Sequence, residues 1–414
     1  MTLRTPRLPP LFVLLAVLGG GALPPADAQE NPSARAAEIR QKYDGLSDLN
    51  PDLTRKMRHR ISSFLESEEI PGVVVGVFIP GRGKFVEAFG RGDLKRETAV
   101  KSTDRFRIGD ITKSFLATVL LQLQDENKLR LDDRAAAFFP EYPRLGPVTL
   151  RQLAGNTSGL FDYVNGPDYR FKPMFEYPKG VWKPEQLLRL GLKDPRHPVF
   201  APGLRFDSCN TNFILLGEII RKITGHPPAA EIEKRILRPL GLKETVFPAN
   251  TDSTIASPFA HGYYQAEGKM RLPEMEPLTT AYLKGRPMID ASGFNPSYRG
   301  AAGAMISTLH DLKVWAPLLA QGTLLSPESQ RQRTQFTASQ PNGKVGYGLG
   351  LTHMYGFLGH NGTTPGYNCC VYHLPDQDAT MVVLINSLHP TRSLAEEIFS
   401  ELAVLLFPEQ FGRE

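Results

Sequence analysis

The chain has 414 residues, with 48 basic and 43 acidic side chains, a formal charge of +5 and 41% hydrophobic residues. That balance is mild and its Lys and Arg are scattered, which argues against nucleic acid as a partner, since binding it calls for a basic patch or stripe. Three cysteines, Cys369 and Cys370 adjacent and Cys209 remote, make neither a disulfide framework nor a zinc-type spacing, so no cofactor and no metal are implied.

Arg4 and Arg7, an apolar run over residues 11–23 and then Ala26-Asp27-Ala28 follow the three-part pattern of an export signal. Residues 1–28 are therefore expected to be a signal peptide cut after Ala28, and the mature protein periplasmic or secreted. A membrane span needs roughly 18 or more apolar residues, and Gly19-Gly20-Gly21 breaks this run, so no stable membrane span is expected after its removal. The leader holds two Arg and one Asp, so losing it lowers the net charge from +5 to +4.

Residues 29–50 read as a polar N-terminal segment, and 51–410 as one large domain. The pattern predicts a helix over 53–70, with Ile61, Phe64 and Leu65 on one face and Pro71-Gly72 as its stop. Two β-rich runs, 73–79 and 84–89, flank Pro80-Gly81-Arg82-Gly83 and predict a hairpin. From Asp110 the period changes: Ile111, Phe115, Leu116, Val119, Leu120 and Leu123 fall at helical spacing, which predicts a core-facing helix. Further helices are predicted near 150–153, 211–224 and 308–319. Strand patterns return at 345–353, 367–374 and 380–386, before an amphipathic helix over 393–407. Strands at both ends around a helical middle predict an α+β fold, with a sheet part (51–109 and 341–410), a mainly helical insertion (110–340) and a ligand groove between them.

Three segments carry side chains suited to catalysis: Asp110-Ile111-Thr112-Lys113, Ser208-Cys209-Asn210 and His360-Asn361-Gly362. Their order resembles the serine β-lactamase and penicillin-binding protein family, whose motifs read S-x-x-K, then S-D-N, then K-T-G; one branch has Y-x-N and H-x-G as the last two. Flanking text is similar as well: Phe106-Arg107-Ile108-Gly109, Thr157-Ser158-Gly159-Leu160, Pro202-Gly203, Pro239-Leu240-Gly241-Leu242, Ala302-Gly303, Gly346-Tyr347-Gly348-Leu349-Gly350 and Pro365-Gly366-Tyr367. The resemblance runs over roughly 70–407 and is nearest to D-alanyl-D-alanine carboxypeptidases, class C β-lactamases and related esterases. It implies an antiparallel sheet flanked by N- and C-terminal helices, with a helical domain inserted. The implied partner is a peptidoglycan stem peptide or another small acyl ligand.

In that family a serine attacks the carbonyl, a lysine one turn on helps take its proton, and a tyrosine passes it to the leaving group. Backbone N–H groups, one of them just after H-x-G, bind the oxyanion. Carried across, these positions are Asp110, Lys113, Ser208 and Thr363, while Asn210, His360, Asn361 and Gly362 match in type. Asp110 alters the chemistry: a carboxylate attacking an amide yields a mixed anhydride, far above the substrate in energy. An ion pair with Lys113 would also keep that lysine protonated. Ser208 is too short and its pKa too high to replace a phenol, and Asn156 stands where relatives usually show histidine.

Other readings of these residues stay open. Asp110 suits a helix N-cap, Lys113 a solvated helix face, His360 a satisfied surface histidine beside a glycine on an edge strand, and Cys209 the core. An Asp110 acting as general base for water would make an active hydrolase, and a third reading is a structural or partner-binding envelope protein. Metal binding by Asp110 with His360 has no ligand spacing in its favour. Specificity is expected to lie in the loops 161–183 and 248–295.

Overall fold

The computed structural model describes residues 31–165, 178–194, 198–265, 280–283, 286–338, 343–389 and 392–412. The expected export signal, 1–28, lies outside the described residues, as do parts of the loops 161–183 and 248–295. No helix among the described residues is long and apolar enough to cross a membrane.

The segment 29–50 is more than a polar lead-in. Helix α1 (Pro32–Asp44) starts at Asn31, whose side chain accepts the Ser33 N–H, and it seats Ala36, Ile39 and Tyr43 in the core. Their i, i+3, i+7 spacing forms one apolar stripe, which average polarity conceals. Helix α2 (Pro51–Glu68) begins in the same way, with Asn50 accepting from Asp52 and Leu53 and a proline in the first turn, and it buries Met57, Ile61 and Phe64.

Strands β1 (Gly72–Ile79) and β2 (Gly83–Asp93) form the expected hairpin, Ile79 opposite Gly83. Every residue of β1 is buried, because both of its faces are covered. Val73, Val75 and Val77 pack toward α2, whereas Val74 and Phe78 join the other core. After the short strands β3 (Thr98–Ala99) and β4 (Phe106–Arg107) come α3 (Thr112–Asp125), α4 (Leu150–Ala154), α5 (Pro184–Leu192), α6 (Asn210–Thr224), α7 (Pro228–Ile232) and α8 (Arg238–Leu240).

The stretch 110–340 also carries strands, beside its helices α9 (Leu309–Gln321) and α10 (Pro327–Arg333). These strands are β5 (Tyr263–Gln265), β6 (Thr280–Leu283), β7 (Arg286–Asp290), β8 (Ile306–Ser307) and β9 (Thr337–Ala338). The C-terminal part supplies β10 (Val345–Tyr347), β11 (Thr352–Met354), β12 (Phe357–Thr364), β13 (Tyr367–Leu374), β14 (Ala379–Ile385), β15 (Ser387–Leu388) and α11 (Leu394–Leu406). The run 345–353 is thus two paired strands. Gly350, at φ +64°, lies in the turn that reverses the chain so that Val345 faces Met354.

Among the described residues the main sheet has nine strands in the order β3-β2-β1-β14-β13-β12-β11-β10-β9, and a four-stranded sheet runs β15-β5-β7-β6. The main sheet is antiparallel at each pairing. One face packs on α2 and α11 through Met57, Ile61, Phe64, Ile398, Phe399 and Leu402. The opposite face packs on α9 and α3, where Phe115 stacks on Trp315 at 4.1 Å. The fold is therefore α+β, with helices on both sides of an antiparallel sheet and α3 buried beneath the helical part.

Candidate active site

The site forms where the backbone before α3 touches β12. Gly109 opens a single 3-10 turn (Gly109–Ile111) with φ +50°, in the left-handed region that favours glycine, and a Cβ there would lie 2.6 Å from the Thr363 amide nitrogen. Across the contact, a Cβ on Gly362 would lie 1.9 Å from the Ile108 carbonyl oxygen. Two glycines thus permit an approach that no other pair allows. Strand β12 is not an edge strand along its whole length: β11 pairs with Phe357, Leu358 and Gly359, and only beyond them does the 3-10 turn take the place of a neighbouring strand.

This contact sets the Asp110 carboxylate against β12. Its Oδ1 lies 2.7 Å from Lys113 Nζ and 2.7 Å from an Arg299 terminal nitrogen, and Oδ2 accepts the Thr363 N–H at 3.2 Å. Asp110 caps no helix, since α3 has Ile111 at its N-cap position and no side-chain capping bond. Both oxygens instead face cations and the strand. Burial by itself would raise the carboxyl pKa, but the charges of Arg299 and Lys113 outweigh it and hold the group well below the usual carboxylate range.

Lys113 is 2% exposed, so it is no solvated helix residue, and its ammonium sits 5.2 Å from the Phe213 ring centroid on α6. Arg299 also donates to the Thr363 carbonyl at 3.0 Å and thereby grips β12 and Asp110 together. Nothing in the sequence distinguished this arginine from others in loops, although it lies three residues before the quoted Ala302-Gly303. Two further partners went unmarked for the same reason. Asp162, buried two residues after Thr157-Ser158-Gly159-Leu160, accepts Asn210 Nδ2 at 2.8 Å, and burial raises its pKa. Tyr347, inside the quoted Gly346–Gly350 run, meets His360.

His360 is buried with both ring nitrogens engaged. Nδ1 faces the Asn361 carbonyl oxygen at 2.5 Å and must donate to it; Nε2 then accepts the Tyr347 hydroxyl at 2.9 Å. Burial, helped by the Lys113 charge, pushes its pKa down to about 4, so the ring is neutral at pH 7. It orients Tyr347 and does not serve as a cation.

Two residues expected at the site make no bond to the Asp110 cluster among the described residues. Ser208 is exposed, and its hydroxyl takes no part in the bonds that hold the Asp110 cluster among the described residues. Asn361 points to the opposite face, where Nδ2 donates to Glu396 of α11 at 2.7 Å, because alternate residues of a strand face opposite ways. Thr363 contributes its backbone to the site, while its hydroxyl accepts from Asn368 at 3.0 Å. Asn156, at φ +54°, uses its side-chain oxygen to accept from the Cys209 amide and from Asn212, a structural tie that fixes the start of α6. Cys209 is buried, and burial pushes its thiol pKa up, so it offers no substitute nucleophile. A cavity of about 560 Å³ opens elsewhere, between α5, α6 and α7, and its lining holds none of these residues.

Buried sheet, helical cover and a lysine in the first turn of α3 are features of one class of proteins, and the comparisons agree. The beta-lactamase family model matches residues 57–405, and the chain belongs to that family. A D-aminopeptidase of Brucella anthropi is 26% identical over 332 residues, 76% of this chain and 56% of that protein, so the chain spans just over half the length of that relative. A Bacillus subtilis protein bearing the name penicillin-binding protein PbpX is 22% identical over 400 residues, covering 93% of this chain and 91% of its own. Among solved structures, a D-stereospecific amidohydrolase from Streptomyces sp. superposes with a TM-score of 0.70 at 28% identity, covering 91% of this chain and 99% of that one.

Proposed function

We propose that this protein is an exported member of the family that binds a peptide or small acyl ligand in the cell envelope without forming an acyl-enzyme. The order of the motifs puts Asp110 in the place of the family's attacking serine. One observation carries the reading: the Asp110 carboxylate is gripped by Lys113, Arg299 and the Thr363 amide at once. An attacking group must be free to leave its resting contacts, and this one would end as a mixed anhydride. The lysine that should accept a proton is already paired, and the amide that should bind the oxyanion is already occupied by a carboxylate oxygen.

Asp110 is equally unsuited to activating water. A general base works best with a pKa near the operating pH; despite burial, Arg299 and Lys113 hold this one below the usual carboxylate range. The ligand class follows from the relatives, which include a D-aminopeptidase and a D-stereospecific amidohydrolase. A D-amino-acid-bearing stem peptide of peptidoglycan is the proposed ligand.

The test pairs the natural protein with a double variant, Asp110→Ser with Ser208→Tyr, each incubated with a fluorescent penicillin, a fluorophosphonate and D-amino-acid amides. We expect no labelling and no turnover from the natural protein, and covalent labelling of the double variant. Turnover by the natural protein that is lost in Asp110→Asn would overturn the proposal.

A further inference from the structure

We infer that Lys113, Arg299 and the Thr363 N–H form an anion receptor that the chain fills with its own side chain, and that removing the Asp110 carboxylate leaves a site for a free small monocarboxylate. The inference deepens the proposal above and rests on it in one respect, that Asp110 is an occupant of the site and not a reactant.

Three donors converge on two oxygens, and each donor has an anchor that does not depend on the carboxylate. The Thr363 amide is fixed by the Gly109 and Gly362 backbone contact, with would-be Cβ distances of 2.6 and 1.9 Å. Arg299 is tied to the Thr363 carbonyl at 3.0 Å. The Lys113 ammonium lies against the Phe213 ring, 5.2 Å from its centroid, with the side chain 2% exposed. Cutting back Asp110 therefore leaves the buried Lys113, the partly buried Arg299 and an amide N–H aimed at a space shaped for a carboxylate. Charge, geometry and size all select the occupant: formate replaces the carboxylate that an alanine lacks, and acetate replaces the carboxylate and methylene that a glycine lacks.

A tethered group competes at an effective concentration far above that of a millimolar solute. The natural protein should therefore ignore added formate and acetate, and its groove should take ligands only in poses that leave the Thr363 amide to Asp110.

Thermal unfolding of Asp110→Ala, Asp110→Gly and the natural protein, titrated to 100 mM with sodium formate or acetate against equal sodium chloride, tests this. We expect a rise in Tm of about 3 °C or more in the variants, formate acting best on the alanine variant and acetate on the glycine variant. The natural protein should show no rise, and neither should Asp110→Ala with Arg299→Gln. An equal rise with chloride, an equal rise in the double variant, or none in either single variant would overturn the inference. If the single variants do not fold in plain buffer, refolding by dilution decides: recovery only with the matched carboxylate supports it, and equal failure with and without it counts against it. The readout is non-covalent, so labelling of the natural protein at a side chain other than Asp110 would sink the proposed function alone, labelling at Asp110 would sink both, and indifference to carboxylate would sink this inference alone.

Discussion

At Asp110 two cations meet one carboxylate in a pocket that leaves its side chain 17% exposed and that of Arg299 11%. Removing one member of such a group costs more than a surface pair, because the partners stay desolvated. We expect Arg299→Gln to lose about 2 kcal/mol at pH 7 in urea unfolding, as for a hydrogen bond to a charged group, and Asp110→Ala to lose about 3 kcal/mol or more. The pH dependence has a definite sign. Since the folded pKa of Asp110 is depressed, its contribution is fully present above the unfolded value, about 4, and is lost as pH falls below it. Arg299→Gln should therefore flatten the acid limb of the stability curve below about pH 4; an unchanged limb would speak against the clamp.

His360 shows the same linkage in a higher window. Its folded pKa of about 4, lowered by burial, means that the neutral ring is the stable form, so its contribution is present above about pH 6.5 and lost as pH falls toward 4. The expected loss across that window is about 3 kcal/mol, and His373, also pushed to about 4 by burial, should add to it. A His360→Gln variant should retain the His373 share of the slope and lose the rest.

Among the elements, the junction of β12 with the 3-10 turn before α3 controls everything above it. In Gly362→Ala the new methyl would meet the Ile108 carbonyl, a backbone atom that cannot rotate away. We expect a loss of about 3 kcal/mol and, in an amide NMR spectrum, a displaced Thr363 resonance; a variant of native stability would show that the approach is not needed. Strands β1, β13 and β14 and helices α2, α3, α6, α9 and α11 were legible because each carries a long apolar repeat. Helix α1 was not, since three buried side chains, Ala36, Ile39 and Tyr43, are outweighed by the polar majority around them. Strands β5 to β8 were not, because they are short, and β5 and β8 take a partner from distant sequence, β15 for β5 and β4 for β8. Within the site, Asp110 and Lys113 were legible from local spacing. Arg299 reaches them from 186 to 189 positions further along the chain, and local spacing says nothing about that distance.

For the molecule as a whole, two apolar cores sandwich the antiparallel sheet, and the family fold is kept around a site built on Asp110, Lys113 and Arg299. The core residues constrain packing, and the site residues constrain chemistry, so the second set can change while the first set holds. That separation explains how the chain matches the beta-lactamase family over residues 57–405 and still presents a carboxylate bound to Lys113, Arg299 and Thr363. The most direct measurement is the intact mass of the natural protein after native incubation with a penicillin and with a fluorophosphonate. We expect the mass to stay unchanged with both reagents, whereas a stable adduct mapped to Asp110, Lys113 or Ser208 would contradict the proposed absence of acyl transfer.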